Sequence, residues 1–381
     1  MCRPAVLQAV LLAALLSACA SVPPVERASG CIAAGDLPAP YETGDGQQAI
    51  NLSVLIYNVE GLPWPARSGR GKKLDKIAAA LTRLHEAGQA PDIVMLQEVF
   101  SRRAHVIPRR GPYPNVVPGP GASDRRSIDG ARLPAAFVRE RRFFKGEKAG
   151  KLLGSGLYVM SRYPIIEHRA EPFSRNACAG FDCLSNKGSL FVRVAVPGLP
   201  SPVDLFTTHM NAKAASGVPL ERTLEAHAFQ TDEGALLVKS ARDFANPLIF
   251  GGDFNMKNAQ DRLDYFDLRK PYRIVRRYCT LETDSCDVRM SWDGDEPWLD
   301  TQDLQGFDDG EAITVRPIIV EAMFDKPENG GLLSDHDGYL VTYRLTFAPR
   351  EDAGLAARAR AAGKALCRDA SGAWRPATAG I

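Results

Sequence analysis

The chain lacks several sequence patterns that would place it in common functional classes. No two cysteines have the Cys-x2-Cys spacing that is typical of structural zinc sites. The Gly-x-Ser-x-Gly segment of hydrolases with a serine nucleophile elbow is also missing. We find no internal repeat and no low-complexity domain, and the formal net charge of +2 over 381 residues says little by itself about partners. The composition, with 45% hydrophobic and 24% charged residues, is that of an ordinary globular protein.

The N-terminal apolar run, over residues 5–16, is too short to cross a bilayer as a helix. It follows Arg3 and ends in the letters LSAC at Cys19. This ending resembles the bacterial lipoprotein processing box, in which the cysteine is lipidated and becomes the first mature residue. An ordinary secretory signal that contains a cysteine is the alternative. We expect residues 1–19 to be a lipoprotein signal peptide, and Ala20 implies an anchor in the outer membrane, by resemblance to bacterial sorting.

The remaining cysteines agree with an exported protein, in which disulfides are permitted. With Cys2 and Cys19 set aside, an even number remains, which suggests disulfide pairing. These cysteines are Cys31, Cys178, Cys183, Cys279, Cys286 and Cys367. The close pairs 178/183 and 279/286 can each staple a loop, and residues 31 and 367 would then tie the two termini together. The sequence alone leaves the connectivity open.

The body of the chain reads as one α/β domain. Predicted strands and helices alternate over residues 50–347 without a break in composition. Residues 20–49 are rich in Pro, Gly and Ala and lack periodicity, which predicts a tether. Residues 348–381 form a C-terminal tail with an alanine-rich helical pattern. The sequence gives no evidence for an oligomer.

Charge is distributed unevenly along the chain. Residues 101–151 contain 13 Lys and Arg against 4 Asp and Glu, and their many Pro and Gly residues predict long loops. Residues 281–311 contain 11 Asp and Glu against one basic residue. One surface is therefore expected to attract phosphates while another repels them, and two solvated loops of opposite sign are the alternative.

The segment Gly251–Asn255 combines two glycines with a carboxylate and a carboxamide. It follows the apolar residues 247–250, which predict a buried strand. The glycines allow a tight turn or a close approach to a ligand. In an extended segment Asp253 and Asn255 point the same way, so both can address one site. Their oxygens suit Mg²⁺ or Ca²⁺ and a phosphate ester, whereas a turn rich in Asp and Asn is the structural alternative.

Further polar residues follow other predicted strands, and ligand sites of α/β sheets gather at such strand ends. The full set comprises Asn58, Glu98, His209, Asp253, Asn255, Asp335 and His336. A Glu and an Asn that face one point bind a hard divalent cation, which polarises phosphoryl oxygens. A His beside an Asp is a base able to activate water, and a second His can donate to a phosphoryl oxygen. This inventory indicates hydrolysis of a phosphate ester.

The same residues, in this order, resemble the motifs of the endonuclease/exonuclease/phosphatase superfamily over roughly residues 50–347. The matching motifs are Asn58, Gln97-Glu98, Thr208-His209, Gly251–Asn255 and Ser334-Asp335-His336. The resemblance implies a DNase I-like four-layer α/β sandwich, in which two packed mixed β-sheets are flanked by helices. It also implies Mg²⁺-dependent hydrolysis of phosphoesters.

The resemblance also implies a role for each site residue. Glu98 is the expected main metal ligand, and Asn58 lies close to both metal and phosphate. The pair at positions 253 and 255 positions the nucleophile and the phosphate. His209 is expected to stabilise the transition state, and His336 to act as the general base with Asp335 beside it.

Two further segments resemble the neutral and bacterial sphingomyelinase branch of the superfamily. One is Lys187-Gly188 just after a cysteine-bearing loop, and the other is the stretch 208–212 around the predicted catalytic histidine. A Lys next to a Gly offers a point charge and an open backbone to phosphate. A hairpin turn is the structural alternative for Lys187-Gly188, and inositol-phosphate phosphatases carry a related element. The expected substrate is therefore a phospholipid, with sphingomyelin the nearest analogy.

Two other functions remain as alternatives. A nuclease or nucleotide phosphatase on the same fold would use the basic segment 101–151 for phosphate contacts. Aromatic and basic residues do not interleave there densely enough to predict a nucleic-acid groove. An envelope lipoprotein that has lost catalysis is the alternative of another class, and the complete set of ligands and histidines argues against it.

The sequence departs from the family pattern in two places. The superfamily often has an Arg-Ile-Asp-Tyr strand whose Asp supports the catalytic His, but residues 315–320 contain no Asp. The acid that orients His336 is therefore Asp335 or another residue. Secreted sphingomyelinases present exposed aromatics to the membrane, and Trp292 and Trp298 are candidates within the acidic segment. Half-buried structural tryptophans are the alternative for both.

The predicted anchor gives a direct test. Cys19→Ser removes the thiol that would carry lipid; one acyl chain binds a bilayer only marginally, whereas several hold a protein firmly. We expect this variant to move from the membrane fraction to the soluble fraction on cell fractionation. Unchanged sedimentation with membranes would place the anchor elsewhere in the chain.

Overall fold

The structure is a computed structural model, and it describes residues 23–269, 272–283, 285–290, 302–325, 332–350 and 354–377. The predicted leader with Cys19 lies outside these residues, as do Trp292 and Trp298. Within the described part of the chain, no helix is both long and apolar enough to cross a membrane.

The described strands are β1 (Cys31–Ile32), β2 (Tyr41–Glu42), β3 (Gln48–Asn58), β4 (Ile93–Gln97), β5 (Asn115–Pro118), β6 (Tyr158–Ser161), β7 (Ile165–Pro172), β8 (Gly188–Val194), β9 (Val203–His209), β10 (Leu248–Asp253), β11 (Arg273–Ile274), β12 (Asp287–Val288), β13 (Asp303–Asp308), β14 (Thr314–Met323), β15 (Gly338–Phe347), β16 (Leu366–Arg368) and β17 (Trp374–Pro376). The described helices are α1 (Gly71–Glu86), α2 (Val106–Arg110), α3 (Ala135–Arg139), α4 (Leu220–Ala241), α5 (Gln260–Asp267), α6 (Val275–Arg277) and α7 (Gly354–Ala361). Short helical turns cover Ala34–Asp36, Phe143–Lys145, Gly180–Leu184 and Tyr278–Glu282.

Most described strands belong to two mixed sheets. One sheet has the order β12-β14-β15-β3-β4-β6-β5, and β2 pairs with β3 beside this path. The other has the order β11-β13-β10-β9-β8-β7. Parallel pairing joins β3 to β4 in the first sheet and β9 to β10 in the second. The carboxyl ends of these four strands therefore lie at matched edges of the two sheets.

Alternation along β3 shows how the sheets pack. Val54 and Ile56 belong to the apolar core between the sheets, whereas Leu55 and Tyr57 face the layer that contains α1. Successive side chains of a strand point to opposite faces, so a strand buried on both sides is apolar throughout. On β10, Ile249 likewise faces the core between the sheets.

Helices cover the outer face of each sheet. Leu74, Ile77 and Leu81 of α1 recur at helical spacing and are buried against the first sheet. Leu237 and Val238 of α4 pack against the second sheet. The order of layers is helix, sheet, sheet, helix, and the predicted four-layer α/β sandwich is confirmed.

The described part of the N-terminal segment differs from the predicted tether over residues 20–49. β2 pairs with β3, and β1 forms a small sheet with β16 and β17. Ile32 and Leu37 are only 1% and 2% exposed, so this segment packs through a few apolar side chains. These side chains are too widely spaced to give a periodic signal in the sequence. The alanine-rich tail is helical in α7, but it then turns into the strands of the small sheet.

The chain becomes part of the fold soon after residue 23. The backbone N–H of Val25 donates to the Tyr158 hydroxyl at 3.2 Å, and Arg27 forms a bridge with Val116 at the edge of the first sheet. Disulfides join Cys31 to Cys367, Cys178 to Cys183 and Cys279 to Cys286. The expected pairing of the six cysteines is therefore confirmed.

The disulfide of the small sheet closes the longest loop, with a sequence separation of 336 between its cysteines. A disulfide stabilises chiefly by restricting the unfolded chain, and more so for longer loops. The paired change Cys31→Ser/Cys367→Ser should lower the free energy of unfolding by about 2–5 kcal/mol in denaturant titration. Turnover at room temperature should stay unchanged, because the described residues of this sheet are not among the predicted site residues.

The pair Cys279→Ser/Cys286→Ser is the matched control, since its separation is only 7. We expect a smaller loss of stability from it. Equal losses from the two pairs would contradict the loop-length argument.

Candidate active site

The predicted site residues at four strand ends meet at one edge of the sandwich. Asn58 is the last residue of β3, and Asp253 is the last residue of β10 in the other sheet. The amide Nδ2 of Asn58 donates to Asp253 Oδ2 at 3.0 Å. The same oxygen lies 3.3 Å from His209 Nε2 at the end of β9, and Glu98 Oε1 lies 4.0 Å from that nitrogen. The two sheets thus contribute to a single polar cluster.

Glu98 follows β4 in a left-handed backbone conformation, with φ of 59°. A non-glycine residue with positive φ is disfavoured and persists only where its surroundings hold it, often at functional sites. Burial raises the pKa of the Glu98 carboxyl to about 7, and the charge of Asp253 acts in the same direction. Burial also raises the pKa of Asp253. The positive charge around Glu98 and Asp253 is therefore too small to keep both carboxyl groups ionised.

The glycines of the Gly251–Asn255 segment allow β10 to run close to β9. A Cβ atom on Gly252 would lie 2.2 Å from the carbonyl oxygen of Thr208, and the φ of Gly252 is +156°. The next turn differs from the extended segment expected from sequence, because Asn255 has φ of 52°. Its N–H donates to Asp253 Oδ1 at 2.9 Å, and its Nδ2 donates to the carbonyl of Met210 at 3.1 Å. Asp253 and Asn255 both reach the site as predicted, but a turn brings them together and not the alternation of an extended strand.

Lys187 enters the same site from the start of β8. Its Nζ lies 3.0 Å from His209 Nε2, donates to the Met210 carbonyl at 2.8 Å and pairs with Asp182 at 2.9 Å. Because an ammonium group only donates, Nε2 of His209 is the acceptor in this contact. Burial lowers the pKa of His209 well below its ordinary value, with a further contribution from Lys187. His209 is thus neutral, beside a fixed positive charge.

His336 is held by a carboxylate on a neighbouring strand. Its Nδ1 lies 2.7 Å from Asp303 Oδ2, and its Nε2 lies 3.2 Å from Gln302 Nε2 and 3.9 Å from Asp253 Oδ2. Burial alone would lower the pKa of His336, but the carboxylates of Asp303 and Asp253 outweigh it and raise the pKa to about 10. The pKa of His336 therefore lies well above the ordinary value of a histidine, near 6.5. A bond at Nδ1 leaves Nε2 as the ring nitrogen directed at the cluster.

The acid that orients His336 is Asp303, whereas Asp335 lies elsewhere. The Asp335 side chain is 50% exposed and pairs with Arg67 at 3.5 Å. Strand β13 runs antiparallel to β10, and this register places Asp303 directly opposite Asp253. Residues 315–320, which we compared with the Arg-Ile-Asp-Tyr strand, belong to β14 in the other sheet, so the absence of an Asp there leaves His336 its partner on β13. In the sequence, Asp303 and Gln305 flank Leu304 with the alternation of a strand, which is a signal for this residue.

Arg70 is a second residue that the motif pattern did not identify. Its NH2 group donates to the carbonyls of Val59 at 2.9 Å and Leu333 at 2.6 Å. The Ser334 hydroxyl adds a bond of 2.6 Å to the carbonyl of Asn58. These bonds join the end of β3 to the loop that carries His336, so the two halves of the site are held together.

The donor set fits a hard divalent cation. Ligand atoms of Asp253, Asp303 and His336 lie within 4.8 Å of one another. The short bond between Asp303 and His336 already occupies two of these groups, so we regard them as an acid–base pair. Glu98, Asn58 and Asp253 supply the oxygen donors that Mg²⁺ prefers. A cation there would also offset the negative charge that raises the pKa values of the two carboxyls.

Comparison with known proteins gives the family. A model described as Endonuclease/Exonuclease/phosphatase family matches residues 55–336, a range that includes each of these strand ends. The chain belongs to this family. It is therefore an enzyme that hydrolyses phosphate esters, and the resemblance stated from its motifs is confirmed. Among curated protein sequences, none matches this chain.

Solved structures with a similar fold come from several organisms. A humanised TDP2 of D. rerio has a TM-score of 0.50 and 19% identity, and the match covers 77% of this chain and 98% of that chain. Sphingomyelinase C of Streptomyces griseocarneus has a TM-score of 0.48 and 20% identity, and the match covers 78% of this chain and 99% of that chain. A Staphylococcus aureus beta toxin mutant with bound magnesium ions has a TM-score of 0.47 and 16% identity, and the match covers 78% of this chain and 100% of that chain. At these identities the likeness concerns the fold alone.

The contact between Asp303 and His336 predicts the effect of Asp303→Asn. The amide keeps the size of the side chain but loses the charge that fixes the imidazole, so turnover should fall by roughly 10²–10⁴-fold. Steady-state kinetics on a soluble aryl phosphodiester, with thermal unfolding measured in parallel, would show this. Asp335→Asn is the matched control and should lower turnover by less than about tenfold, since an exposed ion pair contributes little. A larger loss in Asp335→Asn than in Asp303→Asn would reverse the assignment.

Proposed function

We propose that this enzyme is a Mg²⁺-dependent phosphodiesterase that hydrolyses phospholipid head groups, with a sphingomyelin-like lipid as its substrate. The observation that carries the proposal is the convergence of Lys187 and His209 beside Glu98. The Lys-Gly segment that resembles the sphingomyelinase branch is thus part of the same cluster as the general phosphoesterase groups. Its buried ammonium group suits a phosphodiester oxygen.

The residues of the chain divide the chemistry among them. Glu98 and Asn58, with Asp253, would hold the cation, which supplies Lewis-acid stabilisation of the phosphoryl oxygens when bound. Lys187 donates to the phosphate and stabilises its developing charge, and neutral His209 supports that stabilisation by holding the Lys187 ammonium at its accepting Nε2.

His336 takes a proton from the attacking water at Nε2, because Asp303 holds Nδ1. This step requires a neutral imidazole, whereas the carboxylates of Asp303 and Asp253 favour the charged form. Positive charge beside Asp253 opposes that effect and favours the neutral base. Asn255, held by its turn against Asp253, faces the same phosphate.

The alternative on the same fold is a nuclease or nucleotide phosphatase. Exposed arginines of the basic segment favour it, because they are available to a phosphate backbone. These include Arg102, Arg103, Arg110, Arg125 and Arg132. An inactive envelope lipoprotein is the alternative of another class, and the complete acid–base and phosphate-binding set argues against it.

The location of the enzyme is part of the proposal. Three disulfides fit an oxidising compartment outside the cytosol, so export is supported. We propose further that lipid on Cys19 anchors the mature chain in the outer membrane. Such an anchor would place the enzyme beside a phospholipid substrate.

A substrate panel tests the proposed function. Sphingomyelin, phosphatidylcholine, single-stranded DNA and a bis-aryl phosphate would each be offered with Mg²⁺ and with chelator. We expect hydrolysis of sphingomyelin and of the aryl diester, with loss of both activities on chelation. A preference for DNA over both lipids would favour the nuclease, and inactivity on every substrate would favour the non-catalytic alternative.

The variant Glu98→Gln tests whether Glu98 binds the metal. The amide should lower turnover by about 10²-fold or more and raise the Mg²⁺ concentration needed, because an anionic ligand is lost. Glu86→Gln makes the same chemical change at an exposed position at the end of α1 and should have no effect. Unchanged Mg²⁺ dependence in Glu98→Gln would remove Glu98 from the metal site.

A further inference from the structure

Two adjacent phenylalanines project from the basic segment of the chain. Phe143 is 66% exposed and Phe144 is 91% exposed, and their ring centroids lie 5.5 Å apart in an edge-to-face arrangement. Single exposed apolar residues are ordinary, but neighbouring exposed aromatic rings rimmed by charge indicate an interaction surface. They lie on the helical turn Phe143–Lys145, outside the catalytic cluster.

A buried ionic network holds this turn in place. The carboxylate of Glu147 accepts a hydrogen bond from the backbone N–H of Arg142, at the start of the turn. The same carboxylate accepts from Arg222 at 2.7 Å and from the N–H of Gly180 at 2.8 Å. The turn therefore has fixed anchors on the domain, and its two rings point outward from a defined position.

The surroundings of the rings are basic. Arg139, Arg142 and Lys148 are exposed on either side of the turn. Among the acids nearby, Glu147 is buried in its bonds to Arg222, and Glu140 alone is exposed within residues 139–148. Rings that can enter an apolar layer, with cations around them, are complementary to a negatively charged lipid surface.

The same surface connects to the phosphate-binding lysine. Lys145 Nζ lies 5.5 Å from the centroid of the Phe181 ring, which is 46% exposed. Phe181 belongs to the loop closed by Cys178 and Cys183, and the next residue, Asp182, pairs with Lys187 at 2.9 Å. One short disulfide-closed loop therefore separates the exposed rings from the catalytic cluster.

We propose that Phe143, Phe144 and Phe181, together with the cations Arg139, Arg142 and Lys148, form a surface that docks on an anionic lipid bilayer. Docking there holds the catalytic edge close to lipid head groups. None of its residues belongs to the acidic segment 281–311, whose sequence charge such a bilayer would repel. The inference rests on the proposed function for its purpose, but lipid binding by this surface does not require catalysis.

Vesicle binding tests the surface separately from the chemistry. The full chain with Cys19→Ser removes any contribution from a lipid anchor. Co-sedimentation with phosphatidylcholine vesicles, with and without phosphatidylserine, measures the partition coefficient. We expect stronger binding to vesicles that contain phosphatidylserine, and an about tenfold or greater loss of it in Phe143→Ser/Phe144→Ser. Arg142→Gln/Lys148→Gln should reduce the preference for phosphatidylserine severalfold.

Phe244→Ser is the matched control, because Phe244 is 59% exposed and follows the C-terminal end of α4, whereas Arg222, which contacts Glu147 beside the turn, lies at the opposite end of that helix. It should bind vesicles as the unchanged chain does. The turnover of a soluble aryl phosphodiester should be unaffected in Phe143→Ser/Phe144→Ser, which shows that the variant is folded. Vesicle binding without lipid hydrolysis would leave this surface in place while contradicting the proposed substrate.

Three results would overturn the docking surface. The first is unchanged vesicle binding in Phe143→Ser/Phe144→Ser. The second is binding that is indifferent to phosphatidylserine. The third is the absence of vesicle binding together with self-association that the two Ser substitutions abolish in sedimentation velocity, which would assign the rings to a second copy of this chain.

Discussion

The hydrogen bond between Asn58 and Asp253 is the interaction on which the active edge depends, because it links the ends of two strands in different sheets. The face-to-face packing of the sheets brings these ends together, and the apolar alternation of β3 and β10 drives that packing. The same Asp253 oxygen lies 3.3 Å from His209 Nε2 and 3.9 Å from His336 Nε2. A change in how the sheets pack would therefore alter the distance between the groups proposed to bind the metal and the proposed acid–base pair.

Much of the site was predictable because its residues follow recognisable strands. An apolar run that stops at a polar residue identifies a strand end, and the family motifs assign order to these ends. Asn58, Glu98, His209 and Asp253 were predicted in this way, and the structure places them together. The alternation of strands and helices predicted one α/β domain, and the four-layer sandwich followed from the family resemblance.

The rest depended on information that a local pattern does not contain. Asp303 reaches His336 through an antiparallel register with β10, which only the tertiary arrangement determines. The left-handed conformations of Glu98 and Asn255 oppose local preference and are imposed by the surrounding contacts. The packing of residues 31–49 relies on a few buried side chains and on a disulfide to Cys367. The sequence of this segment therefore has no hydrophobic periodicity that would predict the packing.

The early attachment of the chain to the domain limits how far the enzyme can stand from an anchor. The N–H of Val25 is already hydrogen-bonded to Tyr158, so only five residues, or six steps along the chain, separate that fixed point from Cys19. A fully extended chain spans about 3.3–3.6 Å per residue, so Cys19 lies at most roughly 20 Å from Val25. A domain held that closely cannot turn toward a distant surface. An enzyme lipidated at Cys19 would work on the leaflet in which its own anchor is embedded.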